Sequence, residues 1–496
     1  MENWFIILIS LCVAALIKAL FNLLYPTKTS NYKLPPSPSP FFMITKFRYY
    51  RKSLLEFESF VRSLHSKLGP ILTLQFDSYP LIFITDRFLA HQALIQNGAV
   101  FADRPPPTPI SRIISSNQHI SSAVYGPTWR LLRRNLTGKI LHPSSVKSYS
   151  HACKWLLRTL LDCLSSQSKS GNSVQVVDHF QYAMFCLLVF MCFGDRLDQK
   201  KIKEVEDAHR QLVLNLNRFH IFSVLPRLTK ILFHKRWQQF LRIRQRQYDS
   251  LMPLIKKRRK VKEERLKVND DYVLAYVDTL FDLELPEEKR KLDEKEIMSL
   301  CSEFIAAGTD TAAAALQWVL ANLVKYPHIQ EKLFTEIKGV IGDSKMPYMK
   351  AVILESLRRH PASHLGVPHT VTEDVVLNGF LIPKKASIYF MVADMGWDTK
   401  AWDDPMEFKP ERFLNKGEVF DITGSREIKM MPFGVGRRIC PGLNLARLHL
   451  EYVVANLVWW YGWKSVDGSD LNMEENHEFT GTMKYPLEAH LYPRFE

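Results

Sequence analysis

The chain has 496 residues, 46% hydrophobic and 24% charged, and its 20 Gly and 27 Pro together fall below average usage. That composition excludes collagen-like, low-complexity and disordered classes; the length is ample for a large core, and the low Gly content leans helical. A formal net charge of +15 favours acidic partners: nucleic acid, anionic lipid or an acidic protein face.

Cysteines stand at 12, 153, 163, 186, 192, 301 and 440, odd in number and with no CxxC spacing, which argues against a disulfide framework or a zinc module and for a reducing compartment. The run WFIILISLCVAALIKALFNLL, Trp4 to Leu24, has 21 residues, enough to cross about 30 Å of hydrocarbon. Glu2 rather than a basic cluster precedes it, the run is long for a signal-peptide core, and no small-residue cleavage site follows. Residues 3–24 are therefore predicted to be a membrane anchor rather than a cleaved signal. Lys28, Lys33, Lys46, Arg48, Arg51 and Lys52 come after it, which by the positive-inside rule leaves the body cytosolic. Residues 25–40, ending in LPPSPSP, read as a stiff spacer between bilayer and body.

Residues 41–496 read as one unit without repeats. PILTLQF (70–76) and PLIFIT (80–85) predict a strand pair, a smaller β region falls at 375–392, and helical periodicity dominates the rest. Residues 203–260 predict a long charged helical stretch ending in KKRRK (256–260), a solvated face rather than a nucleic-acid patch. Within it, FHIFSVLP (219–226) is an apolar connection that serves either as core or as a dip into the bilayer. The strongest predicted helix is 293–325: Asp293 with Glu296 fits a capping box, and Pro327 follows the end. Its middle, FIAAGTDTAAAALQW, is apolar or small all round and so predicted to be buried. Gly308 in mid-helix costs about 1 kcal/mol against Ala, and Asp310 is a carboxylate among apolar residues. Two such costs mark either a groove where something approaches the backbone or a capped polar kink without chemistry.

Residues 432–442, PFGVGRRICPG, set Cys440 just ahead of a helix with apolar residues at Leu443, Ala446, Leu450, Val453 and Leu457. The helix dipole, with Arg437 and Arg438, predicts a lowered thiol pKa, suited to a reactive nucleophile or an axial iron ligand; a buried inert thiol is the bland reading. Gly434-Val435-Gly436 imitates a dinucleotide loop, but Ile439 occupies the third glycine position, and no P-loop, HExxH or GxSxG occurs.

Phe433, Gly436, Arg438, Cys440 and Gly442 match FxxGxRxCxG, the haem-binding loop of the cytochrome P450 superfamily, at all five fixed positions. Ahead of it stand Ala307-Gly308-Thr309-Asp310-Thr311 for the central-helix motif, Glu355 and Arg358 for ExxR, Pro410 to Phe413 for PERF, and Trp129 with Arg133 for WxxxR. A second ExxR spacing, Glu287 and Arg290 in LPEEKR, reads as a solvent-exposed coincidence. The chain thus resembles that superfamily, plant microsomal A-type, and FADRPPP, TWRLLRRN and ALQWVLANLVKYPHIQ resemble its family 89, subfamily A.

The resemblance implies a mainly α fold with small β-sheets, haem lying between the long central helix and the cysteine loop, and a single N-terminal transmembrane helix. It implies haem b ligated by the Cys440 thiolate, Phe433 beside it, and Trp129, Arg133, His369 and Arg438 at the propionates. Asp310 and Thr311 would relay protons to dioxygen in a groove opened by Gly308, and Glu355, Arg358 and Arg412 would form a structural network behind the loop. Electrons would come indirectly from NADPH through an NADPH-cytochrome reductase on a basic face around Arg130, Arg134, Lys139, Arg437 and Arg447. The implied location is the endoplasmic reticulum membrane, single-pass, with no nucleic-acid partner.

Ile113, Ile114, Ile120, Phe304, Ala307, Leu365 and Met483, by the same resemblance, line an apolar pocket with His119 and His364 as polar handles. The expected reaction inserts one oxygen atom from O2 into an apolar small molecule of plant specialised or catabolic metabolism; the group resembled has been linked to oxidation of chlorophyll-derived tetrapyrroles. A haem-thiolate dehydratase or isomerase, and a membrane haem-binding protein without turnover, are the rival expectations. Three features depart from the family pattern: Ala312 where a second Thr or Ser often follows, Ser37 for a spacer glycine, and a short stretch between Gly342 and Met346.

Overall fold

The central helix, Glu294–Lys325, begins as its sequence predicts. Asp293 Oδ1 accepts from the Glu296 amide and Glu296 Oε2 from the Asp293 amide, both at 2.8 Å, so two otherwise orphaned donors are satisfied. From Ala313 to Val324 every residue is buried, so this half of the helix runs through the core. The burial expected from Phe304 onward fails over 304–312, where only Ile305 and Thr309 are buried and Ala307 is exposed, because among the described residues no other segment covers that face. Beside it lies Val177–Phe193, buried without interruption from Ala183 onward. The two approach closely at Gly308, where an added Cβ would come 2.8 Å from Leu188 Cδ1. The groove expected at Gly308 is therefore filled on that side by Leu188, and the glycine's propensity cost is the cost of helix–helix contact.

The computed structural model describes residues 32–39, 54–75, 79–168, 173–223, 225–265, 273–339, 346–414, 420–468, 470–477 and 480–495. Of the predicted anchor at 3–24, only Val13 and Ala15 are also described, and the short stretch after Gly342 lies outside the described residues up to 345. Among the described residues, Glu294–Lys325 is the one helix long and apolar enough to cross a membrane, and most of it is buried in the protein.

Helices dominate, with five sheets of two or three strands among the described residues. The predicted strand pair forms: Ile71–Leu74 runs antiparallel to Leu81–Ile84, with Ile71 opposite Ile84. Ser387–Phe390 from the later β region adds in parallel, Leu81 opposite Ser387. The Pro-rich segment is docked to this part of the molecule, since the Pro36 carbonyl accepts from the Thr73 amide and the Lys33 carbonyl from the Leu381 amide, each at 2.8 Å.

The charged stretch at 203–260 divides into two helices, Gln199–Phe219 and His234–Arg265, joined through a turn and a short helix, Pro226–Leu232. The apolar connection is core in its first half and exposed in its second: Phe219 and Phe222 are fully buried beside Phe240 and Ile243, whereas Leu225 points into solvent. One residue of KKRRK departs from a solvated face. Arg258 turns inward to pair with both carboxylate oxygens of buried Asp278, at 2.9 and 2.7 Å, because helix periodicity carries that position to the core side.

Candidate active site

Cys440 sits at the end of a loop shaped by two glycines. Gly434 and Gly436 have φ of +66° and +70°, the left-handed region that only glycine enters without cost. At Gly436 a Cβ would fall 2.3 Å from the Leu94 carbonyl oxygen, so the loop can rest on the Gln92–Gln96 turn only if that side chain is absent. The Cys440 amide donates to the Phe433 carbonyl at 2.8 Å and closes the loop, and the helix Leu443–Trp460 starts three residues later. The thiol pKa moves opposite to expectation. Burial pushes it up, and the Gly442 amide and the Arg133 charge offset only part of that. A cation bound at the sulfur would supply the missing stabilisation of the thiolate.

Around this loop lies a basin of cations, Arg104 and Arg438 buried and Arg133 half-buried. Arg438 donates to the carbonyls of Ala102 (2.6 Å), Ala123 (2.7 Å) and Ile120 (3.3 Å), and its guanidinium lies 4.3 Å from the Trp129 ring centroid. Trp129 Nε1 donates to the same Ile120 carbonyl at 3.0 Å, and Arg133 Nη2 to the Ile439 carbonyl at 2.5 Å. The helix Pro127–Asn135 thus brings both WxxxR residues to the cysteine loop. Arg104, which the sequence reading did not single out, donates to the carbonyls of Ser121 (2.9 Å), Val367 (2.9 Å) and Pro368 (2.8 Å). Burial, then the nearby Arg438 charge, lowers its pKa to about 9, and burial lowers that of Arg438 to about 10.

Among the described residues no carboxylate forms an ion pair with Arg104, Arg133 or Arg438, although Asp103 lies close enough to raise the pKa of the first and last. Buried cations satisfied mainly by neutral carbonyls leave charge uncompensated. This donor set, with the thiol beside it, fits the two carboxylates and the iron of a haem. His369 differs from its expected role as a cation. Burial, with Arg104 and Arg438 nearby, lowers its pKa to about 3, so the imidazole is neutral here, and its Nδ1 lies 2.8 Å from the Phe101 carbonyl. Paired backbone contacts hold it there, Thr370 to Asp103 and His369 to Ile388.

On the central helix, Thr311 Oγ1 donates to the Ala307 carbonyl at 2.7 Å, one turn back. Asp310 points instead toward Val177–Phe193, where Gln181 Nε2 lies 3.5 Å from its Oδ1, and burial raises its carboxyl pKa. No hydrogen bond joins Asp310 to Thr311 among the described residues, as consecutive helix positions lie on different faces. Glu303, also missed, accepts from the amides of Ile120 and Ser121 at 2.8 Å each and fixes the loop that carries Ile120. A glutamate inside an otherwise apolar helix was the available signal.

The ExxR residues are fully buried as a pair. Arg358 donates to both Glu355 oxygens at 2.7 and 2.8 Å and to the Gly396 carbonyl at 2.6 Å. Arg412 Nε and the Lys409 amide donate to Glu355 Oε1 at 3.0 and 2.8 Å. Leu354 on the same helix packs with Trp402, Met430 and Leu443, and Phe433 and Ile439 pack against that cluster, which ties the network to the cysteine loop. Glu287 and Arg290 are exposed, and Glu287 accepts from Thr128 rather than Arg290.

The expected pocket residues fall into four groups. Ile113 and Ile114 pack beside Phe219 and Phe240. Ile120, Phe304 and Met483 belong to the main core, and Leu365 to the cluster around the three-stranded sheet. Ala307, exposed along the central helix, borders open space. The ring of His119 is held 4.0 Å from Glu303, with its buried Nε2 unpartnered, which suits a polar handle.

His364 is engaged elsewhere: Nδ1 lies 2.9 Å from Glu58 Oε2 and Nε2 3.2 Å from Glu475 Oε2, so it clamps the helix Leu54–Leu68 to the strand Glu475–His477. Burial lowers its pKa, but Glu475 and Glu58 outweigh burial and raise it overall. A raised pKa stabilises the fold fully below the unfolded value of about 6.5 and stops doing so as pH climbs through the folded value. The thermal stability advantage of the protein over His364→Gln is therefore expected to be largest below about pH 6.5 and to shrink at higher pH. A melting difference that stays flat from about pH 6 to 9 would exclude the ion pair as its source.

The sequence profile of the Cytochrome P450 family matches residues 35–491. Cytochrome P450 89A9 of Arabidopsis thaliana is 46% identical over 515 aligned residues, covering 99% of this chain and 98% of that protein. A flavonoid 3'-monooxygenase of the same plant is 28% identical, covering 94% of the chain and 93% of that protein. A zebra fish cytochrome P450 solved with progesterone superposes with a TM-score of 0.71 at 21% identity, over 87% of this chain and 98% of that one.

Proposed function

Since the chain belongs to the cytochrome P450 family and is a monooxygenase of it, we propose that it inserts one oxygen atom from O2 into an apolar small molecule, with electrons passed from NADPH by a flavoprotein reductase. The observation that carries this reading is the basin beside Cys440 of buried Arg104 and Arg438 and half-buried Arg133, bonded to neutral carbonyls and paired with no carboxylate among the described residues. Bound there, haem b supplies thiolate-ligated iron that activates dioxygen.

The chain's own residues do the rest. Cys440 would offer the sulfur that ligates the iron. Arg438, Arg133 and Trp129, with Arg104 added, would hold the two haem carboxylates, beside which the neutral His369 would stand as a hydrogen-bonding group. Asp310, its carboxyl pKa raised, holds a proton closer to neutral pH than an exposed aspartate does. The Thr311 hydroxyl, whose single hydrogen is donated to the Ala307 carbonyl, keeps both lone pairs free to accept, and it can pass that hydrogen on only by turning away from the carbonyl as it accepts another. Ile113, Ile114, Ile120, Phe304, Ala307, Leu365 and Met483 exclude water from an apolar substrate, and His119 Nε2 orients it.

Arg130, Arg134, Lys139 and Arg437 are exposed on the elements that carry Trp129 and the cysteine loop, a short path for electrons from an acidic reductase face. The anchor at 3–24 and the spacer at 25–40 place the domain 41–496 on the cytosolic side of the endoplasmic reticulum. The outward side chains of Leu225, Leu228, Ile231 and Leu232 supply a second membrane contact.

The test is turnover with reductase, NADPH and a panel of apolar plant metabolites, with Thr311→Ala alongside. Thr311→Ala is expected to keep consuming NADPH while product per NADPH falls, toward the roughly hundredfold typical of a lost proton-transfer group, with hydrogen peroxide released instead. Product formed without NADPH, and unaffected by Thr311→Ala, would mean a dehydratase or isomerase.

A further inference from the structure

Between Ala208 and Tyr248 the chain has nine Lys or Arg and no Asp or Glu. This span covers most of Gln199–Phe219, the short helix Pro226–Leu232 and the first half of His234–Arg265. An open groove of about 910 Å³ runs between the two long helices, lined by Arg218, Lys235, Arg236, Arg242 and Arg246 among others. Lys235, Gln239, Arg242 and Arg246 follow one another at spacings of four, three and four, so a single helical face presents them to the groove.

Among the described residues none of these five cations forms an ion pair. The hydrogen bonds they make go to neutral oxygens: Arg218 to Asn215 Oδ1 at 3.3 Å, Arg236 to the Arg218 carbonyl and Arg242 to the Gln238 carbonyl, both at 3.4 Å. Elsewhere on the same helix, Lys257 and Lys262 pair with Asp195 and Asp282.

The rim of the groove is of opposite character. Leu225, Leu228, Ile231 and Leu232 are 66, 50, 73 and 65% exposed, and Leu232 and Phe233 line the groove as well. Leu225 is held outward at φ +44°, a strained conformation for leucine. Unpaired cations beside an apolar rim whose only charged members are the cations Arg227 and Lys230 suit one kind of molecule: an amphiphile whose anionic head lies against its hydrocarbon part. A soluble anion or a nucleic acid would leave the rim in water.

We infer that this groove binds the phosphate-bearing headgroup of an anionic membrane phospholipid, whose acyl chains meet the Leu225–Phe233 rim. The inference rests on the reading that the chain is membrane-anchored and names the lipid class at its second contact. Bound there, the lipid bridges the two helices and fixes how the domain leans on the bilayer.

The test is hydrogen exchange on the full-length haem-loaded protein in phosphatidylcholine nanodiscs, with and without phosphatidic acid. Peptides from 211–246 are expected to exchange more slowly with phosphatidic acid present. Each Lys or Arg at an anionic surface is worth about fivefold in affinity, so Arg236→Gln, Arg242→Gln and Arg246→Gln together should weaken the site on the order of a hundredfold and abolish the slowing. An unchanged carbon-monoxide difference spectrum verifies that this variant is folded.

Equal exchange with and without phosphatidic acid would overturn the inference. So would equal slowing by inorganic phosphate on phosphatidylcholine discs, which means a free anion, or slowing confined to peptides carrying Arg130, Arg134 and Lys139. The anchor is scored separately: a chain that does not co-elute with phosphatidylcholine discs refutes it alone. Co-elution then appearing only with phosphatidic acid, and lost in the triple variant, still supports the groove.

Discussion

Cys440→Ala is expected to lose the far red-shifted Soret band of the reduced, carbon-monoxide-bound protein completely, and reductase-dependent product formation should fall to background. Among the described residues the other cysteines, Cys153, Cys163, Cys186, Cys192 and Cys301, lie on helices away from the cysteine loop, so no second thiol replaces the first. Burial raises the pKa of the Cys440 thiol, which means that the bare protein does not hold a thiolate there unaided. The metal and the ligand must stabilise each other, and deleting the sulfur removes the whole effect rather than part of it. Removing one small side chain should cost the fold only about 1 kcal/mol, so near-normal melting beside a lost band separates ligation from unfolding. A variant that kept the shifted band would remove Cys440 from the axial position.

The second large effect is on folding. Arg358→Ala would leave the Glu355 carboxylate fully buried with only Arg412 and the Lys409 amide as donors, and would strand the Gly396 carbonyl. Breaking a buried pair on one side costs about 3–5 kcal/mol, against a total stability of about 5–15 kcal/mol. Arg358→Ala is therefore expected to accumulate little folded, haem-loaded protein and to melt far below the parent. Arg358→Lys keeps the charge but not the two-pronged contact and should fall between the two. Because Leu354 and Trp402 join this network to Phe433 and Ile439, the haem spectrum should fail along with the melt. If Arg358→Ala melted within about 1 kcal/mol of the parent, the ion pair would not be what supports the loop.

Local chemistry was legible wherever a short span of chain decides the outcome by itself. The capping box at Asp293, the strand pair flanking residue 80 and the turn made by Gly434 and Gly436 depend on neighbours a few residues away. The motif residues were legible for a related reason: Glu355 and Arg358 are one helical turn apart, and Phe433 through Gly442 form one loop. Arg104 was not, because its three carbonyl partners come from Ser121, Val367 and Pro368, far along the chain.

The same limit explains the reversals. Gly308 looked like an opening until Leu188 from another helix occupied the space. His364 resembled a pocket residue, but Glu58 and Glu475 reach it from opposite ends of the sequence. The Cys440 pKa followed burial instead of the helix dipole, since desolvation scales with everything packed around the sulfur and not with the one helix beside it. From its sequence alone, this protein's family and its mainly helical class were determined, along with the loop, Phe433 to Gly442, on which the haem-thiolate proposal rests. Which cations gather uncompensated around that thiol, which face of the central helix stays open, and which histidine is clamped were decided only when distant segments packed, because burial and charge pairing are sums over neighbours that chain order does not specify.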